Sequence, residues 1–282
     1  MNENLPDDDP TIIYNDSDYP SKDHGRFPEN FDETTKQQGV AFDVDRYVEI
    51  AEQVGAPVLE IGCGSGRIGI AMARAGIENW GIDISAGMIS RYREKLKAEA
   101  TKLTEMVTLT EADATNFTLD RKDFPLAIIP FNTLLCIHEF EKQQETLNQI
   151  CKHLKPGGQL IIDVISPHKI QLFGNETPRA FFTRRNVWTG QTYTRFAAAS
   201  PLNEKQQQRL YGWYDELRED HTVERRPYSF FLRPLYRYEL MLMLEKAGFA
   251  IEKIEGDHHG STFTNDSPKM FVLAKKVSHS LA

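Results

Sequence analysis

Pro57-Val-Leu-Glu-Ile-Gly-Cys-Gly-Ser-Gly66 is the stretch on which the reading of the whole chain turns. Residues 58–61 are short and largely apolar, as in a strand buried on both faces. Glycines at 62, 64 and 66 then let the backbone turn sharply from strand to helix, and let a ligand approach the main chain without meeting a Cβ. Residues 67–75 have helical composition and stop at Gly76, a residue type common just past a helix end. Strand, glycine turn and helix in that order open a βαβ unit. In open α/β sheets ligands bind at such carboxyl ends of strands, near the point where the strand order reverses.

The pattern continues outward. Residues 80–84 are a predicted second strand, and residues 86–100 a second helix with Ser85 as N-cap. Residues 107–110 and 126–131 are the third and fourth strands. A helix at 141–154 is stopped by Lys155-Pro-Gly-Gly158, and residues 159–165 are the fifth strand. Upstream, Val44, Tyr47, Val48 and Ala51 have the spacing of an amphipathic helix ending near Gly55. Five strands separated mostly by helices require long crossovers, hence parallel pairing.

Beyond residue 165 the alternation breaks. Residues 187–196 and 209–219 are rich in β-branched and aromatic side chains and predict an antiparallel insertion of two or three strands. Tyr211, Trp213 and Asp215 fall on one face, and Leu210, Gly212 and Tyr214 on the other. A helix over 234–247, with Leu235, Tyr238, Leu242 and Leu244 to Glu245 as its stripe, ends at Gly248, and residues 249–255 and 270–275 close the chain as a hairpin. The expected class is α/β, a Rossmann-like doubly wound sheet with an antiparallel β insertion. The expected parts are an arm-like or flexible segment (1–38), a cofactor-binding core (39–165), the insertion as substrate lid or dimer face (166–232), and the rest of the core (233–282).

The chain has 282 residues, 33 Lys+Arg against 41 Asp+Glu, and a formal charge of −8. With 40% hydrophobic and 26% charged residues, a packed enzyme-sized body is expected rather than global disorder. The acidic balance gives no general attraction to phosphate backbones, so nucleic acid is not an expected partner. MNENLPDDDP lacks the features of a secretory signal, and no run of about 18 apolar residues offers a membrane span. Cys63, Cys136 and Cys151 form no CxxC pair and read as reduced thiols. A cytoplasmic location is expected. Residues 1–38 are polar and punctuated by proline. Ile12, Ile13, Tyr14, Tyr19, Phe27 and Phe31 supply apolar anchors, and the second half is expected to lie on the body.

Two acids follow the glycine turn. Asp83 ends the second strand, and an ionised carboxylate there can accept both hydroxyls of a ribose. Asp113, in Glu111-Ala-Asp-Ala, is placed to face the neighbouring adenine edge. Gly64, Gly66 and Gly69 also satisfy G-x-G-x-x-G with Asp83 about 20 residues on, which leaves a nicotinamide-dependent oxidoreductase open. Glu60 immediately before Gly62, the Pro-Gly-Gly before strand five and the closing antiparallel pair argue against it.

These residues carry a resemblance. With E-x-G-x-G-x-G at 60–66, Gly81-Ile-Asp83-Ile-Ser85 and Met88, Glu111-Ala-Asp113-Ala114, Phe131-Asn132-Thr-Leu-Leu, Leu154-Lys-Pro-Gly-Gly158 and Ala247-Gly-Phe249, the chain from about residue 40 to 276 resembles the class I S-adenosylmethionine-dependent methyltransferases. The resemblance implies a seven-stranded sheet with its last strand antiparallel, and S-adenosyl-L-methionine as cofactor. It implies that Glu60, Gly62, Cys63, Gly64 and Gly66 pass the methionine part of the cofactor. Asp83, Ile84 and Met88 then surround the ribose and adenine, Asp113 and Ala114 meet the adenine edge, and Phe131 and Asn132 face the methyl donor.

Ile129-Pro-Phe-Asn132 lacks the N-P-P-Y signature of methyltransferases acting on base amines or glutamine. The overall pattern is similar to bacterial small-molecule N- and O-methyltransferases, so a small-molecule acceptor is expected. The alternatives are a nicotinamide-dependent oxidoreductase and a non-catalytic S-adenosylmethionine-binding protein. The sulfonium methyl is already electrophilic, so alignment and exclusion of water matter more than a strong base. Candidate catalytic residues are His138, as a general base, and Tyr19. Family members often carry histidine where Cys136 stands. His24, Cys136, Trp188, Tyr193, Arg195, Tyr211 and Trp213 are further substrate-side candidates, although the aromatics of the insertion also suit its own packing or a homodimer face. Arg184, Arg185 and Arg195 are candidates for an anion, against a reading of Arg184 and Arg185 as solvated. His258-His259 with Asp257 suggests a metal, but adjacent strand residues point to opposite faces, so none is expected.

Overall fold

The computed structural model describes residues 8–20, 27–30, 32–33, 35, 42–170 and 173–277. Its centre is β1 (Val58–Ile61), buried at every position. It lies parallel to β2 (Asn79–Asp83) on one side and β4 (Phe124–Ile129) on the other. β3 (Val107–Glu111) extends the sheet beyond β2, and β5 (Leu154–Ile165) extends it beyond β4. β10 (Phe249–Glu255) and β11 (Lys269–Lys276) complete the order β10-β11-β5-β4-β1-β2-β3. β11 runs antiparallel to both neighbours. This is the seven-stranded doubly wound sheet. The chain departs from β1 toward β2 and later returns to β4, so the strand order reverses at the carboxyl end of β1, beside the glycine turn.

Three boundaries differ from expectation. β4 stops at Ile129 because Phe131 and Asn132 take left-handed φ of 46° and 66°. β5 begins at Leu154, and a register shift between Phe124 and Leu126 absorbs the Lys-Pro-Gly-Gly segment. The last helix is Arg237–Ala247, and its buried residues are Leu240, Met243 and Leu244. Tyr238 and Leu242 of the expected stripe are 68% and 61% exposed. The i, i+3, i+4 face that packs is the one starting at Leu240.

The insertion is a separate antiparallel sheet of four strands: β6 (Asn175–Arg185), β7 (Thr192–Ala199), β8 (Gln208–Leu217) and β9 (Val223–Leu232). Residues 187–191 form a turn instead of a strand, closed by the Asn186 N–H donating to the Gln191 carbonyl at 2.8 Å. The expected alternation holds on β8. Tyr214 joins Tyr193, Tyr228 and Phe182 in a buried cluster, while Trp213 stacks on Phe196 on the opposite face, centroids 5.0 Å apart.

The arm supplies the fifth aromatic of that cluster, Tyr14, stacked on Tyr214 at 4.2 Å. Its helices Pro10–Ile13 and Asn15–Asp18 bury Ile12, Ser17 and Asp18. The first half of the leader is therefore built into the body, where only the second half was expected to dock. The reason is polar as well as apolar. Asp18 accepts hydrogen bonds from Tyr193 (2.7 Å), Tyr214 (2.6 Å) and Arg195 (2.9 Å). Arg184, expected to be solvated, is buried; it donates to the Ser17 and Asp18 carbonyls and pairs with Asp32. Among the described residues no helix is long and apolar enough to cross a membrane.

Candidate functional site

The site grows from the three glycines, whose φ values are +72°, +53° and +85° at 62, 64 and 66. A Cβ at Gly62 would lie 2.4 Å from Thr133 Cγ2, and one at Gly66 2.3 Å from the Tyr92 ring. A Cβ at Gly64 would meet nothing within 4 Å. Two glycines are thus required by close packing, and the middle one leaves a cradle open to a ligand. The Gly64 and Ser85 N–H groups donate to the two oxygens of Asp83, each at 2.9 Å. Asp83 is buried and burial pushes its carboxyl upward. Each of its oxygens retains a further lone pair for a ligand hydroxyl.

Glu60 lies beneath this turn, and burial pushes its carboxyl up to about 8. A Cβ at Gly69 would sit 2.1 Å from the Tyr92 hydroxyl, 2.7 Å from Asn79 Oδ1 and 3.0 Å from Glu60 Oε2, so three buried oxygens converge on a residue that has to be glycine. Glu60 Oε2 has no hydrogen-bond partner among the described residues. The unfolded carboxyl ionises near 4.5 and the folded one near 8, so between those values the native state holds a proton the unfolded state has lost. Stability from this group is present below about pH 4.5 and declines as pH rises toward 8. In Glu60→Gln that decline disappears. Thermal unfolding at pH 5.5 and pH 8 is expected to show the variant gaining on the parent at the higher pH, and an equal difference at both would contradict the assignment.

One cleft passes Asp83. At its narrow end Ile84, Asp113 and Ala114 face Ile137 and His138. At its wide end is a cavity of about 690 Å³, bounded by the glycine turn, the segment after β4, the arm and the inner face of the second sheet. Gly62, Asp83 and Thr133 line both ends. This size suits a small-molecule site.

Phe131 and Asn132 line the cavity in their left-handed conformations, a strain that needs support from its surroundings. The Asn132 N–H donates to the Asp163 carbonyl at 2.9 Å, and Asn132 Oδ1 accepts from the Ile165 N–H at 2.6 Å. The Phe131 ring meets Tyr19 edge-on at 4.9 Å, with Lys269 Nζ 4.8 Å and the Arg67 guanidinium 5.3 Å from its centre. Behind it Asp163 is fully buried and accepts from Tyr47 (2.9 Å) and pairs with His258 (3.0 Å) and Lys269 (3.3 Å). Burial alone would raise this carboxyl. The Lys269 charge, with His258 and Tyr47, overrides it and holds Asp163 well below the usual range. His258 is thereby held on Asp163, and among the described residues no group of three or more His, Cys, Asp or Glu could hold a metal.

The sequence candidates separate. Cys63, Gly64, Met88, Cys136, Tyr19 and Arg195 line the wide cavity, and Arg195 donates to the Tyr19 hydroxyl at 3.4 Å. Gly66 lines neither end, because it packs on Tyr92. His138 borders the narrow end, stacks on Phe231 at 5.5 Å and is lowered by burial, away from Tyr19. Tyr193 is held on Asp18, and Tyr211 reaches the Glu176 carbonyl at 3.3 Å. Trp188 donates to Asp16 at 3.0 Å, and Asp16 also accepts from Ser65 (2.5 Å) and Lys95 (2.8 Å). Arg185 packs on Phe27. His24 and Phe31 lie outside the described residues. Thr133, Arg67 and Lys169 also line the cavity. Thr133 lies within the Phe131-Asn132-Thr-Leu-Leu segment and Arg67 directly follows the glycine turn, so both were legible as neighbours of the site; Lys169 carries no such signal.

The residues present fit S-adenosylmethionine: an open cradle at Gly64, a buried acid with free lone pairs at the end of β2, and a carboxyl oxygen beneath the turn that has no partner among the described residues. Residues 58–158 match the family model described as a methyltransferase domain. The cypemycin N-terminal methyltransferase of Streptomyces sp. is 24% identical over 235 residues, covering 79% of this chain and 84% of that protein. Among solved structures, the CcbJ methyltransferase from Streptomyces caelestis has a TM-score of 0.72 at 22% identity, covering 84% of this chain and 90% of its own. An S-adenosylmethionine-dependent methyltransferase from Clostridium acetobutylicum ATCC 824 has a TM-score of 0.74 at 16% identity, covering 91% of this chain and 100% of its own. The matched segment contains the glycine turn and both Asp83 and Asp113. Residues 58–158 thus resemble a methyltransferase domain, and the chain shares its fold with solved methyltransferases, an S-adenosylmethionine-dependent one among them.

Proposed function

We propose that this enzyme methylates a nitrogen or oxygen atom of a small-molecule acceptor bound in the wide cavity. The observation that carries the reading is the continuity of the cleft: Gly62, Asp83 and Thr133 border both the narrow slot and the 690 Å³ cavity. A donor lying along the slot would present its methyl group to whatever fills the wide end. S-adenosylmethionine supplies an electrophilic methyl, so the chain's task is placement and exclusion of water.

In this reading Asp83 receives the ribose hydroxyls, while Ile84, Asp113 and Ala114 border the adenine. Glu60, Gly62, Cys63 and Gly64 border the methionine end, with Met88 beside the ribose. Gly66 shapes the turn. Phe131 and Asn132 hold the rim between donor and acceptor, and Tyr19 lies on the acceptor side. His138 borders the slot. The arm and the second sheet form the acceptor walls. The name of the cypemycin relative, an N-terminal methyltransferase, favours nitrogen.

Calorimetry is expected to detect S-adenosylhomocysteine binding, and methyl-labelled S-adenosylmethionine to deliver label to an amine or hydroxyl in a panel of amines, phenols and carboxylates. Tight NADH binding without S-adenosylhomocysteine binding would overturn the proposal.

A further inference from the structure

We infer that the acceptor has an apolar body bearing an oxyanion, and that Lys169 receives that anion; this rests on the wide cavity being the acceptor site. The apolar body follows from the sheet face that walls the cavity. Ala197, Ala199, Leu210, Phe230 and Leu232 all line it. The register places Ala197 opposite Gly212, and Leu210 between Ala199 and Phe230. The two alanines, two positions apart on one strand, leave a hollow rimmed by larger apolar side chains. Such a wall rewards apolar area on the ligand and offers little to a polar one.

The anion follows from the charges in the same lining. Its carboxyl groups are Glu60 and Asp83, both under the glycine turn at the donor end. Burial favours the neutral form of Glu60, and Asp83 is engaged by two backbone N–H groups. The lining cations are Arg67, Arg195 and Lys169. Arg67 is paired with Asp43 at 2.6 Å and Arg195 with Asp18 at 2.9 Å. Lys169 has no ion-pair partner among the described residues. Among the described residues, the acceptor half therefore presents one positive charge without an ion-pair partner beside an apolar wall, and no carboxylate to receive an ammonium.

Lys169 is also held in place by its backbone. It ends the 3-10 turn Pro167–Lys169 directly after β5. Ser166 and Pro167 are buried, the Lys169 N–H donates to the Ser166 carbonyl at 2.9 Å, and Ile170 packs against the main core. The turn presents the lysine stem at the cavity edge while the ammonium stays free to meet a ligand.

Two fluorescent probes separate the apolar and anionic parts: 8-anilinonaphthalene-1-sulfonate and its uncharged parent N-phenyl-1-naphthylamine. They are titrated into the full chain with S-adenosylhomocysteine present. Lys169→Glu is expected to weaken the sulfonate about tenfold at low salt while leaving the uncharged probe within twofold, and the effect should shrink in high salt. Ala199→Trp should weaken both probes by filling the hollow. The same sulfonate affinity in Lys169→Glu, or equal losses for both probes, would overturn the inference. Displacement by 2-naphthoate or by 2-naphthyl phosphate, whichever acts at lower concentration, identifies the oxyanion, and displacement by neither counts against it. Calorimetry of S-adenosylhomocysteine separates the two readings: binding that survives in Lys169→Glu leaves the methyltransferase assignment standing whatever the probes report.

Discussion

Asp83→Ala is expected to weaken S-adenosylhomocysteine binding by about 100-fold in calorimetry while leaving the far-ultraviolet spectrum of the fold unchanged. The carboxylate is fixed by the Gly64 and Ser85 N–H groups, so its remaining lone pairs are aimed before a ligand arrives. Hydrogen bonds to a charged group are worth about 1.5–3 kcal/mol each. Losing two to a ribose costs about 3 kcal/mol or more, or about two powers of ten in Kd. Asp83→Asn should also bind weakly, because its amide would turn a donor toward one of two backbone donors. A Kd within threefold of the parent in both variants would remove Asp83 from the cofactor site.

The second large effect is on stability. Asp18→Ala is expected to cost about 3–5 kcal/mol in urea unfolding, the usual consequence of leaving one member of a buried ion pair alone. Arg195 would lose its only carboxylate partner described, and the Tyr193 and Tyr214 hydroxyls would lose their acceptor. Typical domain stabilities are about 5–15 kcal/mol, so this one change would consume a large part of the margin. Adding Arg195→Met removes the orphaned charge, and the double variant is expected to recover part of the loss. A shift under about 1 kcal/mol in Asp18→Ala would mean that the arm is held by its aromatic contacts alone. Asn15 and Tyr19 of the arm line the cavity, so the variant should also bind acceptors less well than its residual fold predicts.

Much of the core was legible because its signals are local. The run from Val58 to Gly66 determines a buried strand and a turn that only glycine can make, and the spacing from Glu60 to Asp83 covers one βαβ step. The closing strands at 249–255 and 269–276 were legible for the same reason, since each is a short apolar run between turn residues. Of the stripe expected on the last helix, Leu235 and Leu244 are buried, while Tyr238 and Leu242 are exposed and Leu240 and Met243 pack in their place; all are apolar, and only the packing against neighbouring elements selects among them. β6 was missed because its side chains are mostly polar and exposed, with just Phe182 and Arg184 buried.

By itself, the sequence determined the doubly wound sheet, the glycine cradle and the acids beside it, because each depends on residues within one or two elements of one another. The tertiary structure decided the acceptor side. Asp18 meets Arg195 across 177 positions, Arg184 meets Asp32 across 152, and Asp163 meets His258 across 95. A charged side chain read alone looks solvated whether or not its partner waits that far along the chain. Only folding brings the partner close enough to compensate the buried charge, and only the folded arrangement distinguishes Arg195, paired with Asp18, from Lys169, which has no ion-pair partner among the described residues.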